Sequence, residues 1–406
     1  MFLVNFIKSI FNFKAYRFKH AAFSVLFLVY LLGGIGAYLI KILQDSDEQL
    51  YQRHVKGLLL GLGVILVISL IDYHFIAKWF VVLYLINMAL LLICRFSNSL
   101  PIYGWSHYDA RRWIKIGGDP TAGVDNKGFE FMPSEVTKIA MIIFIAKFFD
   151  ICYKKIQKIW VLLLAIALMG VPTLMIFMQP DLSTTICLAM IFAVLVFVSG
   201  VPYKYIFSIV AILTPIAIGL IWYVQQDFQV LLKYWQRRRV LAALHPEDYP
   251  DLMYQQSNAA SAIRSGGMIG KFLSGEGLKG TYYVPVKESD FIFTAVAEAF
   301  GFIGAVAVLM TYFLMIVLII RIGKRAKDYL GMMLAIGIGA LISVQVFINI
   351  GVVTSLLPNT GIPLPFMSSG LSALLINLVT IGILINISMQ PKEEVPRHTD
   401  EFEFLE

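Results

Sequence analysis

The sequence contains few charged residues and very few cysteines for its length. Charged residues make up 15% of the 406-residue chain and hydrophobic residues 59%, whereas a soluble domain averages about 25% charged residues. This deficit excludes a soluble globular protein and leaves no soluble domain of useful size. The 3 cysteines, Cys94, Cys152 and Cys187, lie in or beside apolar runs at unrelated spacings. They indicate neither a disulfide framework nor a cysteine metal site, and we expect them to be packing residues.

Long apolar runs recur along nearly the whole chain. Each approaches the roughly 20 residues that a helix needs to cross about 30 Å of hydrocarbon. The sequence therefore predicts an all-α polytopic membrane protein with about ten transmembrane helices. We place them at about 21–42, 56–72, 75–94, 135–149, 160–178, 182–199, 205–223, 291–320, 329–352 and 370–389. Two long loops, about 95–134 and 224–290, interrupt this membrane domain of residues 21–390.

Basic residues in the short connections predict the orientation of the chain. They lie in the amino-terminal segment 1–20 and in the connections near 154–158 and 321–327, whereas the first loop on the other side is acidic. Short basic connections stay on the cytoplasmic side of a membrane. We therefore expect both ends to be cytoplasmic, with an uncleaved signal anchor after residues 1–20 and an acidic tail at 391–406. The two long loops are then extracytoplasmic.

These two loops carry clustered cations, among them Arg112 in the first loop and Arg237 to Arg239 in the second. Long loops cross a membrane largely regardless of charge, so the cations do not overturn the orientation. Two interpretations stay open. The clusters form a solvated basic face beside anionic headgroups, or they bind an anionic, phosphate-bearing ligand.

Three acidic residues stand where a polar segment gives way to an apolar run. They are Asp290 in YYVPVKESDFIFTAVAEAFG, Asp181 in MQPDLSTT and Glu135 in PSEVTK. An acid at such a boundary commonly caps a helix N-terminus. The alternative is a catalytic carboxylate that faces an external cavity. Lys138 follows Glu135 by one helical turn, so these two residues are expected to pair, for structure or for function.

The segment that leads into the tenth predicted span, PNTGIPLPFMSSGLS, contains Pro and Gly residues that prevent a regular helix. Irregular backbone at membrane depth survives only inside protein or beside a cavity. With ten spans, the fourth, sixth, eighth and tenth all run from outside to inside. The three acids and the turn at Ser368 and Ser369 therefore lie on one outer side, where they could share a cavity.

Two further features accompany Asp290. Glu298 lies about 12 Å deeper along the predicted helix, as a packing partner or as a carboxylate that supports the site. The segment Ala262 to Gly270 is apolar, too short to cross a membrane, and suited to its interface. It is either a glycine-rich loop or a lipid-contacting flap over the cavity.

Six pieces of the chain together resemble the SEDS family of cell-wall polymerases (shape, elongation, division and sporulation), of the RodA and FtsW type. They are ARRWI, PSEVTK, QPDLSTT, RSGGMIGK, SDFIFTAVAEAFGFIG and TGIPLPFMSSG, in the family's order. The resemblance implies a peptidoglycan glycosyltransferase that polymerises lipid II outside the bacterial cytoplasmic membrane. The partners it implies are lipid II, a class B penicillin-binding protein transpeptidase and the membrane, with no nucleic acid.

The resemblance also implies roles for single residues. Asp290 corresponds to the family's essential acid, and Arg112 belongs to its first-loop motif. The family's central polar positions correspond to Glu135, Lys138 and Asp181.

The chain departs from the family's pattern at four places. They are Val286, Glu288, Ala299 and Leu371. These departures leave open whether the chain serves elongation or division, and they do not touch the acid itself.

On this hypothesis, Asp290 is the base that deprotonates a sugar 4-hydroxyl as it attacks an anomeric carbon. The leaving lipid pyrophosphate would be stabilised by Lys138, Arg112 and Arg239. The remaining residues assigned to substrate binding are Glu135, Asp181, Ser368 and Ser369. No cofactor is certain, and a divalent cation, Mg or Mn, held by a carboxylate stays an open alternative.

Two other functional classes compete with a polymerase. Ionisable groups between membrane helices and a broken helix start also suit a lipid II flippase or another carrier of lipid-linked substrates. The clustering of these groups at the outer face, rather than the midplane, favours an enzyme. A passive scaffold has no use for charges at the membrane boundary that cost stability.

Overall fold

The computed structural model describes residues 10–11, 13, 15–44, 49–97, 102–107, 110–117, 129–226, 228–230, 234–272 and 277–392. These residues form fourteen α-helices and one small sheet. The first seven helices are α1 (Phe23–Leu43), α2 (Gln49–Leu70), α3 (Tyr73–Lys78), α4 (Phe80–Phe96), α5 (Pro133–Ile151), α6 (Ile159–Met178) and α7 (Leu182–Val198). The other seven are α8 (Tyr203–Gln225), α9 (Tyr234–Leu244), α10 (Pro250–Ser265), α11 (Lys279–Tyr282), α12 (Ile292–Arg325), α13 (Tyr329–Val353) and α14 (Leu371–Ser388).

The predicted spans fall on these helices, the span at about 75–94 covering both α3 and α4. This agreement confirms a polytopic, mainly helical membrane protein. Within the described residues, seven helices are long and apolar enough to cross a membrane, namely α1, α2, α6, α8, α12, α13 and α14. The helices α4 and α7 are apolar but shorter. The helix α5 carries four ionisable residues along its length. The exact number of ten crossings stays a prediction, as does the division at residues 20 and 390.

The core of the bundle lies around α5, α13 and α14, whose residues are mostly buried. The helix α13 packs against α5, α7 and α12, and α14 packs against α2. Small residues make the contact between α2 and α14 close, because a Cβ added at Gly61 would lie 2.1 Å from Leu378 Cδ1. Such close approach supplies the dispersion contacts that hold helices together in lipid.

The helix α8 stands apart from this core. Of its 23 residues, Val224 is the one that is buried. Apolar side chains cover the rest of its surface, including Phe207, Leu213 and Trp222. Because hydrocarbon is as apolar as these side chains, a lipid environment suits the helix without a protein partner.

The bundle has two distinct ends. Long connections leave it between α4 and α5 and between α8 and α12, at the end that we call the loop face. The opposite end is the tail face, where residues near both termini meet: Arg17 N donates to Met389 O over 2.7 Å, and Lys327 N donates to Gln390 O over 3.1 Å. The side chains of Asp72 and Asp328 cap α3 and α13 there, and His74 contacts both carboxylates.

A three-stranded antiparallel sheet lies on the loop face, which the hydropathy pattern did not predict. Its strands are β1 (Ile102–His107), β2 (Ala110–Ile116) and β3 (Phe129–Phe131), with β2 in the centre. The sheet packs on the end of α4, where a Cβ at Gly104 would lie 2.0 Å from Cys94 O. This contact fixes β2, and with it Arg112, above the bundle.

The helix α12 is broken at Gly301, whose φ of 65° and ψ of −166° lie outside the helical region. Only glycine adopts such a conformation without strain. The segment 266–272 fills the break: Lys271 N donates to Glu298 O over 3.0 Å, and Phe302 N donates to Gly267 O over 2.9 Å. The glycine-rich segment is therefore hydrogen-bonded into a membrane helix. Its apolar side chains Met268 and Ile269 are exposed, as the lipid-contact hypothesis requires.

Candidate active site

The first turn of α5 holds a buried ion pair. Pro133 begins the helix, and Lys138 Nζ lies 2.8 Å from Glu135 Oε1. Both residues are at most 5% exposed. Glu135 Oε2 is also buried and has no hydrogen-bond partner among the described residues. The pair thus keeps one unused acceptor inside the protein, where burying charges is costly.

Asp181 lies next to this pair and caps α7. Its carboxylate accepts hydrogen bonds from Thr184 N at 3.1 Å and from Thr184 Oγ1 at 2.9 Å. Ser134 Oγ adds a third bond to it over 3.2 Å, which links the starts of α5 and α7. Lys138 is within electrostatic range of Asp181. Asp181 is therefore a helix cap, as the first of the two interpretations predicts.

Asp290 differs, because it does not cap α12. The helix begins at Ile292 after Phe291, and no side chain caps it. The Asp290 carboxylate instead accepts a hydrogen bond from Ser289 Oγ at 2.9 Å. It is half-buried. Desolvation raises the pKa of Asp290 above its usual 3.8, while the Ser289 hydrogen bond and the charge of Arg112 oppose the rise.

Arg112 connects the acids on the loop face. It extends from β2, and its guanidinium donates to the Pro180 carbonyl in the turn before Asp181. The same charge acts on Asp290. Its Nε is buried without a hydrogen-bond acceptor among the described residues. Arg112 therefore lies between the turn before Asp181 and the Asp290 carboxylate, where its positive charge suits an anionic oxygen.

The segment 354–370 packs against residues 288–290 and forms a wall of the site. Ser368 Oγ donates to Ser289 O over 2.7 Å, and Ser369 N donates to Glu288 O over 3.0 Å. Ser183, at the start of α7, donates through its Oγ to the carbonyl of Thr360. The hydroxyl of Ser368 is thus engaged in holding the backbone before Asp290. Ser369 makes its contact there through its backbone.

The wall also approaches the carboxylate itself. Gly361 has a φ of 73°, and a Cβ added there would lie 3.1 Å from Asp290 Oδ2. A side chain at this position would crowd the acid. The position of the Asp290 carboxylate therefore depends on the absence of a side chain at residue 361.

Arg239 lies in α9, and its side chain falls outside the part of the chain that the structure describes. Its neighbours already have protein partners. Arg237 donates to the carbonyls of Val224 and Gln225 at the end of α8. Arg238 lies 2.7 Å from Asp251. These two arginines anchor the second loop.

Asn349 is a site residue that the sequence did not reveal. Its Nδ2 donates to Asp290 O over 2.7 Å and to Ile362 O over 2.8 Å. It joins α13, the acid and the wall. A buried amide in the last turn of an apolar helix is the signal that could have identified it, because polar groups in spans are expensive.

The described residues do not fit a metal site enclosed by protein. No group of three or more His, Cys, Asp or Glu residues in the described part of the chain comes close enough to hold an ion. Mg²⁺ prefers six oxygen ligands, and the oxygens of Asp181 are already occupied by donors from Ser134 and Thr184. We therefore assign no chemical step to Mg or Mn.

Comparison with known proteins gives one consistent result. The model of the FtsW, RodA and SpoVE family, described as "Cell cycle protein", matches residues 18–393. The chain is 35% identical over 337 residues to the "Probable peptidoglycan glycosyltransferase FtsW" of Geobacter sulfurreducens, covering 82% of this chain and 84% of that protein. It is 30% identical over 376 residues to the "Peptidoglycan glycosyltransferase MrdB" of Escherichia coli, covering 91% and 94%.

Solved structures share the fold. One, described as "Structural coordination of polymerization and crosslinking by a peptidoglycan synthase complex", superposes with a TM-score of 0.72 at 24% identity, over 92% of this chain and 99% of that one. The rod shape determining protein RodA of Thermus thermophilus gives a TM-score of 0.62 at 20% identity, over 94% and 100%.

Proposed function

The chain belongs to the FtsW, RodA and SpoVE family of cell cycle proteins, and from this membership we propose that it is a peptidoglycan glycosyltransferase. Its substrate is lipid II, which it polymerises into glycan strands at the outer face of the bacterial cytoplasmic membrane. The loop face is then extracytoplasmic, and both termini are cytoplasmic. The curated relatives carry the name of this activity.

One observation carries the proposal on the side of chemistry. Asp290 is a carboxylate at the loop face that does not cap its helix, although its position in the sequence suits a cap. Its pKa is raised by desolvation, which brings a carboxylate closer to the range in which it exchanges protons usefully. A carboxylate that does not cap a helix and lies within the electrostatic range of Arg112 suits the role of a general base.

The reaction joins two sugars and releases a lipid pyrophosphate. The 4-hydroxyl oxygen of the acceptor sugar attacks the anomeric carbon of the donor, and its proton passes to the Asp290 carboxylate. The bond between the anomeric carbon and the pyrophosphate oxygen breaks, and the electron pair leaves with the phosphate. Arg112 stabilises the departing charge through its guanidinium cation. Lys138 adds positive charge from beneath, oriented by Glu135.

A lipid II flippase is the competing function, because a broken membrane helix is also a feature of carriers. In carriers the break exposes backbone to substrate near the midplane. Here the break at Gly301 is filled by hydrogen bonds with residues 267–272. This arrangement favours the polymerase.

The partner that we propose is a class B penicillin-binding protein, the transpeptidase that crosslinks the strands. The structural neighbour with the TM-score of 0.72 comes from a synthase complex that coordinates the same two steps, polymerisation and crosslinking. Coupled synthesis requires that the strand leave the polymerase on the side where the transpeptidase acts. The loop face, with its sheet and α9 to α11, is the surface suited to that contact.

The test compares Asp290→Asn with Asp248→Asn in purified protein supplied with lipid II. Asp248 is an exposed acid in the same loop, so its change controls for the loss of a charge. We expect Asp290→Asn to abolish glycan polymers and Asp248→Asn to leave them unchanged. Polymer formation by well-folded Asp290→Asn protein would refute the base assignment. Movement of lipid II across vesicles without polymer would instead support the carrier.

A further inference from the structure

A cavity lies on the loop face, outside the site around Asp290. It is a cleft of about 360 Å³ between α10 and the residues Lys271, Gly280 and Tyr283, within the range of about 300–1,000 Å³ typical of small-molecule sites. We call it the Lys271 cleft. Six of its lining residues carry side-chain chemistry: Tyr254, Asn258, Ser261, Ser265, Lys271 and Tyr283. None of them belongs to the site around Asp290.

The floor of the cleft is rigid and electrically balanced. Glu298 is completely buried beneath it and receives hydrogen bonds from Gly280 N at 2.8 Å and from Thr281 N and Oγ1 at 2.6 Å each. Lys271 Nζ lies 2.7 Å from the same carboxylate, and Ser265 Oγ lies 3.3 Å from it. The charge of Lys271 is therefore matched from below, and the cleft has no excess cation for an anionic ligand.

The walls combine aromatic rings with amide and hydroxyl groups. Tyr254 and Tyr283 are 53% and 67% exposed, and they stand on either side of the cleft. Asn258 Nδ2 donates to Tyr283 O over 3.2 Å, which joins the two walls. Exposed tyrosines supply amphipathic contact area at low entropic cost, and Asn and Ser supply adaptable hydrogen bonds. A ligand with one apolar face and a polar edge fits such walls.

Hydrogen bonds attach α10, which lines the cleft, to the end of α13 and to the wall segment 354–370 of the active site. Gln256, on the buried face of α10, donates to Val352 O and Leu357 O over 2.8 Å each. Asn359 Nδ2 lies 2.5 Å from Gln255 Oε1, two residues before the Gly361 that approaches Asp290. The chain runs from Tyr283 in the cleft to Asp290 within seven residues. Seven residues reach at most about 25 Å, so a strand of several sugar rings at Asp290 is long enough to extend to the cleft.

We propose that the Lys271 cleft binds a neutral sugar ring of the glycan strand while another sugar of the same strand lies at Asp290. An alkyl chain is disfavoured by the amide and hydroxyl groups, and an anion by the paired lysine. The proposal rests on the proposed function for the identity of the strand. Its consequence is processivity, because a strand held at two places stays bound between successive additions.

The test uses two tryptophan substitutions on one helix. Ser261→Trp fills the cleft, whereas Ser257→Trp places the same side chain on α10 at a residue that is exposed and does not line it. Full-length protein in lipid nanodiscs is titrated with a soluble β-1,4-linked tetramer of N-acetylglucosamine, and binding is measured by saturation-transfer NMR. Polymer length is measured separately on lipid II, without a transpeptidase.

We expect Ser261→Trp to weaken tetramer binding at least tenfold and to shorten the polymer, with Ser257→Trp matching the wild type in both. Equal binding and equal polymer length in the two variants would overturn the proposal, as would a wild type that does not bind the tetramer. Tetramer binding that Ser261→Trp abolishes, in a protein that makes no polymer, would leave the cleft assignment standing and overturn the proposed function.

Discussion

Asn349 holds the backbone of Asp290 from beneath, with Nδ2 2.7 Å from the Asp290 carbonyl oxygen. The same nitrogen donates to Ile362 O over 2.8 Å, so one amide fixes both the acid and the wall beside it. The bond with Ile362 is buried and the bond with Asp290 is part-buried; a buried carbonyl left unpaired costs about 1–3 kcal/mol. The position of the acid therefore depends on a residue that touches no substrate.

We expect Asn349→Asp to lower polymerisation by an order of magnitude or more. The carboxylate of the variant has the same shape but cannot donate a hydrogen bond, so Asp290 is held less well in place. A rise of about 1.4 kcal/mol in the activation free energy lowers the rate tenfold. The loss should fall on kcat rather than KM, because substrate contacts are unchanged. The matched control is Asn359→Asp, which removes an amide donor in the wall segment that binds Gln255 rather than Asp290. Wild-type kcat in Asn349→Asp would contradict the positioning role.

The pH dependence of polymerisation should reflect Asp290. A base acts when deprotonated, so the rate rises as pH passes upward through the raised pKa of this carboxyl, above its ordinary 3.8. Arg112 opposes that rise, and Arg112→Gln should move the acidic limb to higher pH. The measurement is a pH–rate profile of both proteins.

Arg111→Gln is the control for that profile, because it changes the preceding residue of the same strand. Its acidic limb should coincide with that of the wild type. An acidic limb that stays in place in Arg112→Gln would remove Arg112 from the electrostatic environment of Asp290.

The ion pair at the start of α5 should be costly to break from one side. Glu135→Gln leaves the buried Lys138 charge uncompensated, for which about 3–5 kcal/mol of destabilisation is expected. Adding Lys138→Met should recover much of this loss, since both charges are then gone. The comparison is Asp150→Asn, which breaks the half-exposed pair with Lys147 at the other end of the helix and should cost about 1 kcal/mol or less. Thermal unfolding in detergent measures all three, and equal losses would contradict the assignment.

The network around His74 on the tail face should make stability depend on pH. Desolvation opposes the charged imidazole, but hydrogen bonds with Asp328 and Asp72 outweigh it and raise the pKa of His74 from 6.5 to about 9. A raised folded pKa means that the stabilisation is complete below pH 6.5 and is lost as pH rises through about 9. The Tm difference between the wild type and His74→Gln should therefore shrink above pH 9.

At the acidic end the same network weakens through Asp328. Desolvation would raise its pKa, but the His74 and Gly331 hydrogen bonds lower it below 3.8. Its contribution is complete above pH 3.8 and is lost as pH falls through the lowered value. His245→Gln, at an exposed position, is the control, because it removes a histidine that contacts neither Asp72 nor Asp328. A constant Tm difference for His74→Gln from pH 6 to 10 would contradict the linkage.

The sequence predicted the membrane helices because hydrocarbon imposes length and apolar character on every span. It also predicted that Glu135, Asp181 and Asp290 lie on one side, because the alternation of crossings leaves no choice. It could not separate Asp181 from Asp290, since both occupy positions where acids cap helices. Only the backbone geometry shows that Asp181 caps α7 while Phe291 intervenes between Asp290 and α12.

Other features depend on contacts distant in the chain, which local patterns do not encode. The break at Gly301 is stable because residues 267–272 supply hydrogen-bond partners from another loop. The role of Asn349 depends on its hydrogen bonds with the carbonyls of Asp290 and Ile362, which lie elsewhere in the chain. The small sheet forms in a segment whose mixed charge gives no clear alternation, and its anchor is the backbone near Cys94.

Because α8 has few protein contacts, its tilt should depend on the thickness of the bilayer. Its 23 residues span about 35 Å at 1.5 Å each, longer than the roughly 30 Å of a typical hydrocarbon core, and such a helix adjusts by tilting. With little protein contact to resist it, a shorter acyl chain would increase that tilt. The last carbonyls of α8 bind Arg237, so tilting would pull on α9 and on the cations beside it. The length of the surrounding lipids would thus reach the basic loop through the end of α8 and the Arg237 guanidinium group that binds it.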